Sequence, residues 1–211
     1  MKKLIIFDLD GTLIDSLSDI QACCNEVLAQ FSLPPIDEAH ARAYVGNGAK
    51  KLVERMLGER IDLLDQVYPV YLERFRNYSG RTKLYPAERE TLDALAKCGC
   101  RFAVVTNKPD AAAKNVVQKC LPGMYVAGQK EGVALKPDPT LTLSVMRLFG
   151  AEREDCVFVG DGETDIQTAA NVGIPCISVL WGYRSKEQLL AAGGKLFAQN
   201  YEELGRIIAA M

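Results

Sequence analysis

A regular alternation of short β-rich runs and helical runs, from about residue 101 to the C-terminus, constrains the fold more than any other feature. The apolar runs RFAVVTN, MYVAG, DCVFVGDG, PCISVLWG and KLFAQ are each followed by a segment of helical character. That rhythm predicts βα units, in which parallel strands form a sheet covered by helices on both faces. The apolar run at residues 3–7 ends in an acidic pair and belongs to the same sheet.

The alternation stops between about residues 14 and 83, where only helical patterns occur. Apolar residues recur at helical spacing along LSDIQACCNEVLAQF, and further helices are expected near Asp37 and after the GNG turn. We therefore predict an α/β protein with a Rossmann-like parallel-sheet core and an inserted all-helical domain. The predicted core comprises residues 1–15 and 82–211, and the predicted insertion comprises residues 16–81.

Two local signals make finer predictions within this helical block. Ser16, followed three residues later by Asp19, predicts a capping box at the start of the first helix. Pro69 lies inside the fourth helical segment, where the missing N–H predicts either a kink or the start of a new helix.

Composition narrows the class of function. The formal net charge of −2 comes from 27 acidic and 25 basic residues that are well mixed, so no basic face suggests nucleic acid. The N-terminal apolar run is cut by Asp8 after four residues, which is too short for a signal peptide or a membrane span. Seven cysteines without a C-x-x-C pair predict reduced core residues and a cytoplasmic location.

Because His40 is the only histidine, neither a Cys/His zinc cluster nor a Ser-His-Asp triad has its parts. Acid-base chemistry must therefore fall mainly to carboxylates or lysines. The candidates at the ends of predicted strands are Asp8, Asp10, Thr106, Asn107 and Asp161, with Asp165 four residues further on and Lys136 just before a predicted helix. Ligands of parallel sheets bind at the carboxyl ends of the strands, and this oxygen-rich set suits Mg²⁺. Each residue alone also fits an ordinary turn, loop or solvent-facing position, but their joint placement at one edge favours a functional site.

The motifs that carry these residues resemble a known family. FDLDGT, VVTN, LKPDP and GDGETD are similar, in that order, to the four motifs of the haloacid dehalogenase superfamily of phosphohydrolases. VGNGAKKLVERML and LWGYRSKEQLLAAG further resemble segments of phosphoglycolate phosphatases. The resemblance covers essentially the whole chain and implies that the helical insertion is a cap domain. Gly162 departs from the pattern, because many relatives carry serine or threonine there.

The resemblance implies roles for the acidic residues. Asp8 is expected to be the nucleophile that forms an aspartyl-phosphate, and Asp10 the acid and base that serves the leaving oxygen and then the water. Mg²⁺ is the expected cofactor, held by Asp8, by Asp10 through its backbone carbonyl and by Asp161. Asp165 is expected to bind the metal through water or to orient the site.

The remaining implied roles concern the phosphoryl group and specificity. Thr106 and Asn107 are expected to hold phosphoryl oxygens, and Lys136 to offset negative charge near Asp8. The cap residues that are candidates for substrate contact are Gly46, Asn47 and Lys50, with Lys50 or Lys51 facing a substrate carboxylate or simply lying in solvent.

The resemblance leaves several functions open. A phosphatase acting on phosphoglycolate is preferred, with a sugar phosphate, nucleoside monophosphate or pyrophosphate as alternative substrates. A family phosphomutase is less favoured, because such enzymes tend to carry histidine where this chain has Asp19-Ile20. A catalytically silent protein that binds Mg²⁺ or phosphate is the non-enzyme alternative. The expected partner is a small phosphorylated metabolite, without nucleic acid or membrane, and the expected state is a monomer or homodimer.

Overall fold

The computed structural model describes residues 3–211. Its strands are β1 (Leu4–Phe7), β2 (Ile14–Asp15), β3 (Lys83–Leu84), β4 (Arg101–Pro109), β5 (Tyr125–Gln129), β6 (Cys156–Gly160), β7 (Cys176–Val179) and β8 (Leu196–Ala198). Six of them form one parallel sheet in the order β5-β4-β1-β6-β7-β8, and β2 pairs with β3 in a separate antiparallel ribbon.

Ten α-helices accompany these strands within the described part of the chain. They are α1 (Leu17–Gln30), α2 (Glu38–Tyr44), α3 (Ala49–Leu57), α4 (Leu64–Phe75), α5 (Glu88–Lys97), α6 (Asp110–Cys120), α7 (Thr140–Leu148), α8 (Glu163–Val172), α9 (Lys186–Ala191) and α10 (Tyr201–Ala210). Short 3₁₀ turns occupy Gly58–Leu63 and Arg153–Asp155. No helix in residues 3–211 combines the length and apolar character that crossing a membrane requires.

The central strand β1 shows why the sheet is parallel and covered on both faces. All four of its residues are fully buried, although alternate residues of a strand point to opposite faces. Ile5 and Phe7 pack into the hydrophobic cluster on one face, and Leu4 and Ile6 into the cluster on the other. The predicted fold class is confirmed.

The four helices α1 to α4 lie between β2 and β3 in the chain and share their own hydrophobic cluster, which is centred on residues such as Val27, Val53 and Tyr71. The β2–β3 ribbon, which the sequence analysis did not predict, joins the two ends of this insertion. The boundaries proposed for core and insertion stay a prediction, and residues 1 and 2 lie outside the described part.

The predicted capping box at Ser16 and Asp19 is wrong. The Ser16 side chain makes no cap hydrogen bond and instead donates to the Asp10 carboxylate. The buried Asp19 carboxylate accepts from the backbone N–H groups of Arg81 and Thr82 at 2.9 and 2.7 Å and from the Thr82 hydroxyl. Asp19 therefore fixes the chain where it returns from the insertion.

At Pro69 the alternative of a new helix is wrong, because α4 runs through this residue from Leu64 to Phe75. Val67 and Tyr71, on either side of Pro69, are buried in the insertion's cluster. Tertiary packing of an apolar helix face offsets the hydrogen bond that a proline removes. The reduced state of the cysteines and the cytoplasmic location stay predictions.

Glu88, at the start of α5, is a carboxylate buried in the core. The residue is fully buried, and neither carboxylate oxygen has a hydrogen-bond partner. Burial raises the pKa of Glu88 to about 8, and nearby Arg89 only partly opposes this rise. The folded protein therefore retains a proton that the unfolded chain releases at lower pH.

This raised pKa predicts that Glu88 lowers stability as the pH rises. Its folded pKa lies above its unfolded value, so stability is fully present below the unfolded pKa and is lost as the pH rises towards about 8. Relative to wild type, Glu88→Gln should gain roughly 2–4 kcal/mol in unfolding free energy between pH 5 and pH 8. Urea unfolding at both pH values measures the difference. Glu90→Gln, at an exposed position of α5, is the matched control, and an equal pH response in both variants would contradict the prediction.

Candidate active site

Three neighbouring strands bring the predicted site residues to one edge of the sheet. Asp8 directly follows β1, Thr106 and Asn107 lie in the last part of β4, and Asp161 directly follows β6. Because β4 and β6 flank β1 in parallel, with Phe7 opposite both Val104 and Val159, their carboxyl ends meet above the same point. The sheet order therefore gathers residues that are far apart in the chain.

A cluster of buried carboxylates lies at this edge. Asp8, Asp161 and Asp165 each place a carboxylate oxygen within 4.8 Å of the others. Burial, together with the neighbouring carboxylates, raises the pKa of Asp161 to about 7. Burial also raises the pKa of Asp165 to about 6, although the Lys136 ammonium opposes this rise. These shifts indicate that the cluster lacks positive charge.

Lys136 is the buried cation that faces this cluster. Its Nζ atom lies 2.9 Å from Asp8 Oδ1 and 2.7 Å from Asp165 Oδ1. Burial alone lowers the pKa of Lys136, but the two carboxylates outweigh it and hold the pKa above its ordinary value. Lys136 therefore stays charged and compensates part of the negative charge around Asp8.

The donor set fits a divalent cation such as Mg²⁺. Its members are buried carboxylate oxygens, which hard cations prefer, and the single Lys136 ammonium beside Asp8 and Asp165 offsets only part of their negative charge. Asp161 is held by the Thr12 hydroxyl at 3.0 Å and by the Tyr183 backbone N–H at 2.7 Å. Each Asp161 oxygen keeps a lone pair beyond these bonds, so the carboxylate is oriented and can still coordinate.

The Asp10 carboxylate lies apart from this cluster. Lys108 Nζ donates to its two oxygens at 2.8 and 3.2 Å, and the Ser16 hydroxyl donates to Oδ1. A metal-binding role for Asp10 therefore rests on its backbone carbonyl alone, as the resemblance implies. Sequence reasoning missed Lys108, which directly follows the VVTN motif. Sequence spacing does not show which residue a lysine side chain contacts.

Thr106 and Asn107 occupy the expected position, but the Asn107 side chain already has partners. Its Nδ2 donates to the carbonyl oxygens of Gly46 and Lys136 at 3.0 and 3.1 Å, and its Oδ1 accepts from the Lys136 N–H at 2.7 Å. The side-chain amide thus fixes the backbone around Lys136 and touches the insertion. Only the backbone N–H of Asn107 is then left for a phosphoryl oxygen.

The site opens into a cavity between core and insertion. Gly46 and Asn47 line it, as predicted for the cap, together with apolar side chains of α1, α3 and α4. Lys50 does not line this cavity: it is exposed on the outer side of α3, and Lys51 pairs there with Glu54 at 2.8 Å. The structure therefore does not bring Lys50 to the position that the sequence analysis proposed.

Arg184 is a further cavity residue that sequence reasoning missed. It lies in the loop after β7 and contacts Glu163 at 3.2 Å. Its Nη1 and Nη2 atoms donate to the carbonyl oxygens of Arg42 at 2.9 Å and Val45 at 2.6 Å. These are carbonyls at the end of α2, so Arg184 links the core to the insertion beside the site.

The glycines around Asp161 give a prediction about packing. A Cβ atom at Gly182 would lie 2.2 Å from Asp161 Cβ, whereas the nearest atom to a Cβ at Gly162 is Asp165 Oδ2 at 3.4 Å. Because an ångström-scale shift of Asp161 disturbs the cluster, Gly182→Ala should lower kcat/KM for an aryl phosphate about 10²-fold. Gly162→Ala, the matched control, should stay close to wild type. Equal rates in the two variants would show that Asp161 tolerates displacement.

Known proteins are similar in sequence to this chain over most of its length. A family model described as haloacid dehalogenase-like hydrolase covers residues 5–179. Phosphoglycolate phosphatase 1 of Pseudomonas aeruginosa is 32% identical over 97% of this chain and 79% of its own. Phosphoglycolate phosphatase of Rhodospirillum rubrum is 34% identical over 97% of this chain and 90% of its own.

Solved structures agree in fold over the full length. A structure from Lactobacillus delbrueckii subsp. bulgaricus superposes with a TM-score of 0.90 at 27% identity and covers 99% of both chains. A predicted phosphoglycolate phosphatase from Haemophilus somnus gives a TM-score of 0.86 at 26% identity over 98% of both chains. The similarity therefore includes the helical insertion as well as the sheet.

Proposed function

Because the chain belongs to the haloacid dehalogenase-like hydrolases, we propose that it is a Mg²⁺-dependent phosphatase that hydrolyses a small phosphomonoester. The observation that carries the proposal is the position of Asp8, which lies beside Asp161 and Asp165 and in contact with the buried Lys136 ammonium. The relatives named phosphoglycolate phosphatase support phosphoglycolate as the first substrate to test.

In this proposal the Asp8 carboxylate attacks phosphorus, the ester oxygen leaves, and an aspartyl-phosphate remains on Asp8. Asp8, Asp161 and the Asp10 backbone carbonyl would hold Mg²⁺, with Asp165 binding it through water or orienting the site, and the metal would supply positive charge to the phosphoryl group. Lys136 adds a second positive charge at the Asp8 oxygen. The reaction needs this charge because nucleophile and substrate are both anions.

Asp10 is the proton donor to the leaving oxygen and then the proton acceptor for the attacking water. Its carboxylate contacts Lys108 and Ser16 and lies apart from the cluster around Asp8. The two carboxylates can therefore have separate roles, with Asp8 as nucleophile and Asp10 in proton transfer, as the family resemblance implies. Asp10 gives a proton to the departing alkoxide and takes one from the water that cleaves the aspartyl-phosphate. Thr106 and the Asn107 backbone hold phosphoryl oxygens in both steps.

The insertion excludes bulk water during the first step. Core residues already contact it, since Asn107 donates to Gly46 and Arg184 donates to Val45. These bonds hold the loop that carries Asn47 over the cavity, where it reaches the leaving group. Asp19 and Ile20 are buried, and the Asp19 carboxylate is occupied by Arg81 and Thr82, which disfavours the phosphomutase alternative.

Metal removal gives the test of this function. With Mg²⁺ present, the protein should release phosphate from an aryl phosphate and from phosphoglycolate, and excess EDTA should abolish the release for both. Restoring Mg²⁺ should restore the rate. Phosphate release that persists in EDTA would contradict the metal role. Binding of Mg²⁺ without any phosphate release would favour the silent binding protein.

A further inference from the structure

We propose that Lys108 binds a carboxylate carried by the leaving group, so that the site selects phosphomonoesters with an anionic group close to the ester oxygen. This inference rests on the proposed phosphatase function and names the substrate class of the same site. Phosphoglycolate is the simplest ester of this class, because its carboxylate is attached to the carbon that bears the ester oxygen.

Lys108 lies where such a carboxylate would arrive. Its ammonium is 2.8 and 3.2 Å from the two oxygens of Asp10, the residue that serves the leaving oxygen in the proposed reaction. A group attached next to that oxygen therefore comes within reach of the Lys108 ammonium. The side chain is only 4% exposed and lines the cavity between core and insertion, so the contact would form away from bulk water.

The Lys108 ammonium also has an unused donor. It carries three N–H groups, and its only hydrogen-bond partner in residues 3–211 is the Asp10 carboxylate, through two contacts. The Phe75 ring, from the insertion, lies 4.3 Å from Nζ and stabilises the charge without accepting a directed hydrogen bond. At least one donor of a buried cation is thus left for an acceptor on the ligand.

The other cations near the site contact groups other than Asp10. Arg184 contacts Glu163 and two carbonyl oxygens of the insertion, and Lys136 is held between Asp8 and Asp165. Of the residues described, Lys108 and Arg184 are the cations that line the cavity. Of these two, Lys108 is the one in contact with Asp10 and therefore the one beside the expected position of the leaving oxygen.

The surrounding walls strengthen this preference. On the insertion side the cavity wall includes Ile20, Leu52 and Phe75, whose side chains offer an anionic group no hydrogen-bond donor. A carboxylate placed among apolar side chains needs a charged hydrogen-bond donor. The Ser16 hydroxyl also donates to Asp10, and it keeps that carboxylate in place when Lys108 contacts the substrate.

The test compares two esters that differ in this one group. We would measure kcat/KM for phosphoglycolate and for 2-hydroxyethyl phosphate, in which a hydroxymethyl group replaces the carboxylate. Wild type should prefer phosphoglycolate, and Lys108→Met should reduce that preference about 10- to 100-fold, the range for a lost charged hydrogen bond. Lys108→Arg keeps the charge and should keep most of the preference. Lys97→Met, at an exposed position of α5, is the matched control.

The ratio of kcat/KM for the two esters shows whether Lys108 binds the substrate carboxylate or only positions Asp10. If Lys108 only orients Asp10, Lys108→Met lowers both rates equally and the inference is overturned while the phosphatase function stands. Equal turnover of the two esters by wild type also overturns it. If wild type releases phosphate from neither ester nor from an aryl phosphate, the proposed function fails and this inference falls with it.

Discussion

Replacing Asp8 with asparagine is expected to lower phosphate release by roughly 10⁴-fold or more, the scale seen when an enzyme loses its nucleophile. The amide keeps the shape of the side chain but cannot attack phosphorus. The change removes one charge from a crowded acidic cluster, and Lys136 keeps Asp165 as a partner, so the variant should unfold in a single transition near the wild-type temperature. Initial rates with an aryl phosphate and with phosphoglycolate measure the effect.

The control for Asp8→Asn is the same chemical change at an exposed aspartate of the insertion. Asp62 is exposed and pairs with neighbouring Arg60 on the surface, so Asp62→Asn should keep the wild-type rate. Turnover of Asp8→Asn within about tenfold of wild type, a loss of only ~1.4 kcal/mol in transition-state stabilisation, would exclude covalent catalysis at Asp8.

Replacing Lys136 with methionine should impair both activity and stability. Methionine fills a similar volume but leaves Asp8 and Asp165 buried without the ammonium that lies 2.9 and 2.7 Å from them. Breaking a buried ion pair in this way costs roughly 3–5 kcal/mol of unfolding free energy. The loss of positive charge at the nucleophile should also lower kcat by about 10²- to 10³-fold.

Added Mg²⁺ gives a second readout for Lys136→Met. A bound divalent cation would compensate the negative charge that Asp8 and Asp165 carry without Lys136. Mg²⁺ should therefore raise the melting temperature of the variant more than that of wild type. Lys130→Met removes a lysine that lies 3.9 Å from Asp110 at the surface, and it should change neither quantity. A stable and active Lys136→Met enzyme would show that the buried ammonium is dispensable.

The sheet was predictable because its signals are local. Apolar runs such as LIIF and CVFVG are continuous because both faces of a parallel sheet are buried, and each is followed by a helical segment. Asp8 and Asp161 could be placed together because parallel strands bring their carboxyl ends to one edge. Four motifs in order then gave the family before any side chain was located.

Contacts between distant segments were not predictable in the same way. Asp19 fits a capping box by spacing, yet its carboxylate binds the chain 62 residues later, at Arg81. Lys50 resembles a candidate substrate contact on the cap helix, but the rotation of α3 turns it away from the cavity. Lys108 and Arg184 acquire their roles only through partners in other elements, and sequence spacing carries no information on such pairings.

Direct detection of a phosphorylated Asp8 tests the central claim of this account. The Asp10→Asn variant, which lacks the base for the second step, would be mixed with Mg²⁺ and an aryl phosphate, whose leaving group needs little help from the missing acid. The mixture would be quenched, and borohydride would then reduce any acyl phosphate. The account predicts that mass spectrometry finds homoserine in place of aspartate at position 8, and only when substrate and Mg²⁺ are both present. Phosphate release by wild type, with unmodified Asp8 or with the modification on another residue of Asp10→Asn, would contradict it.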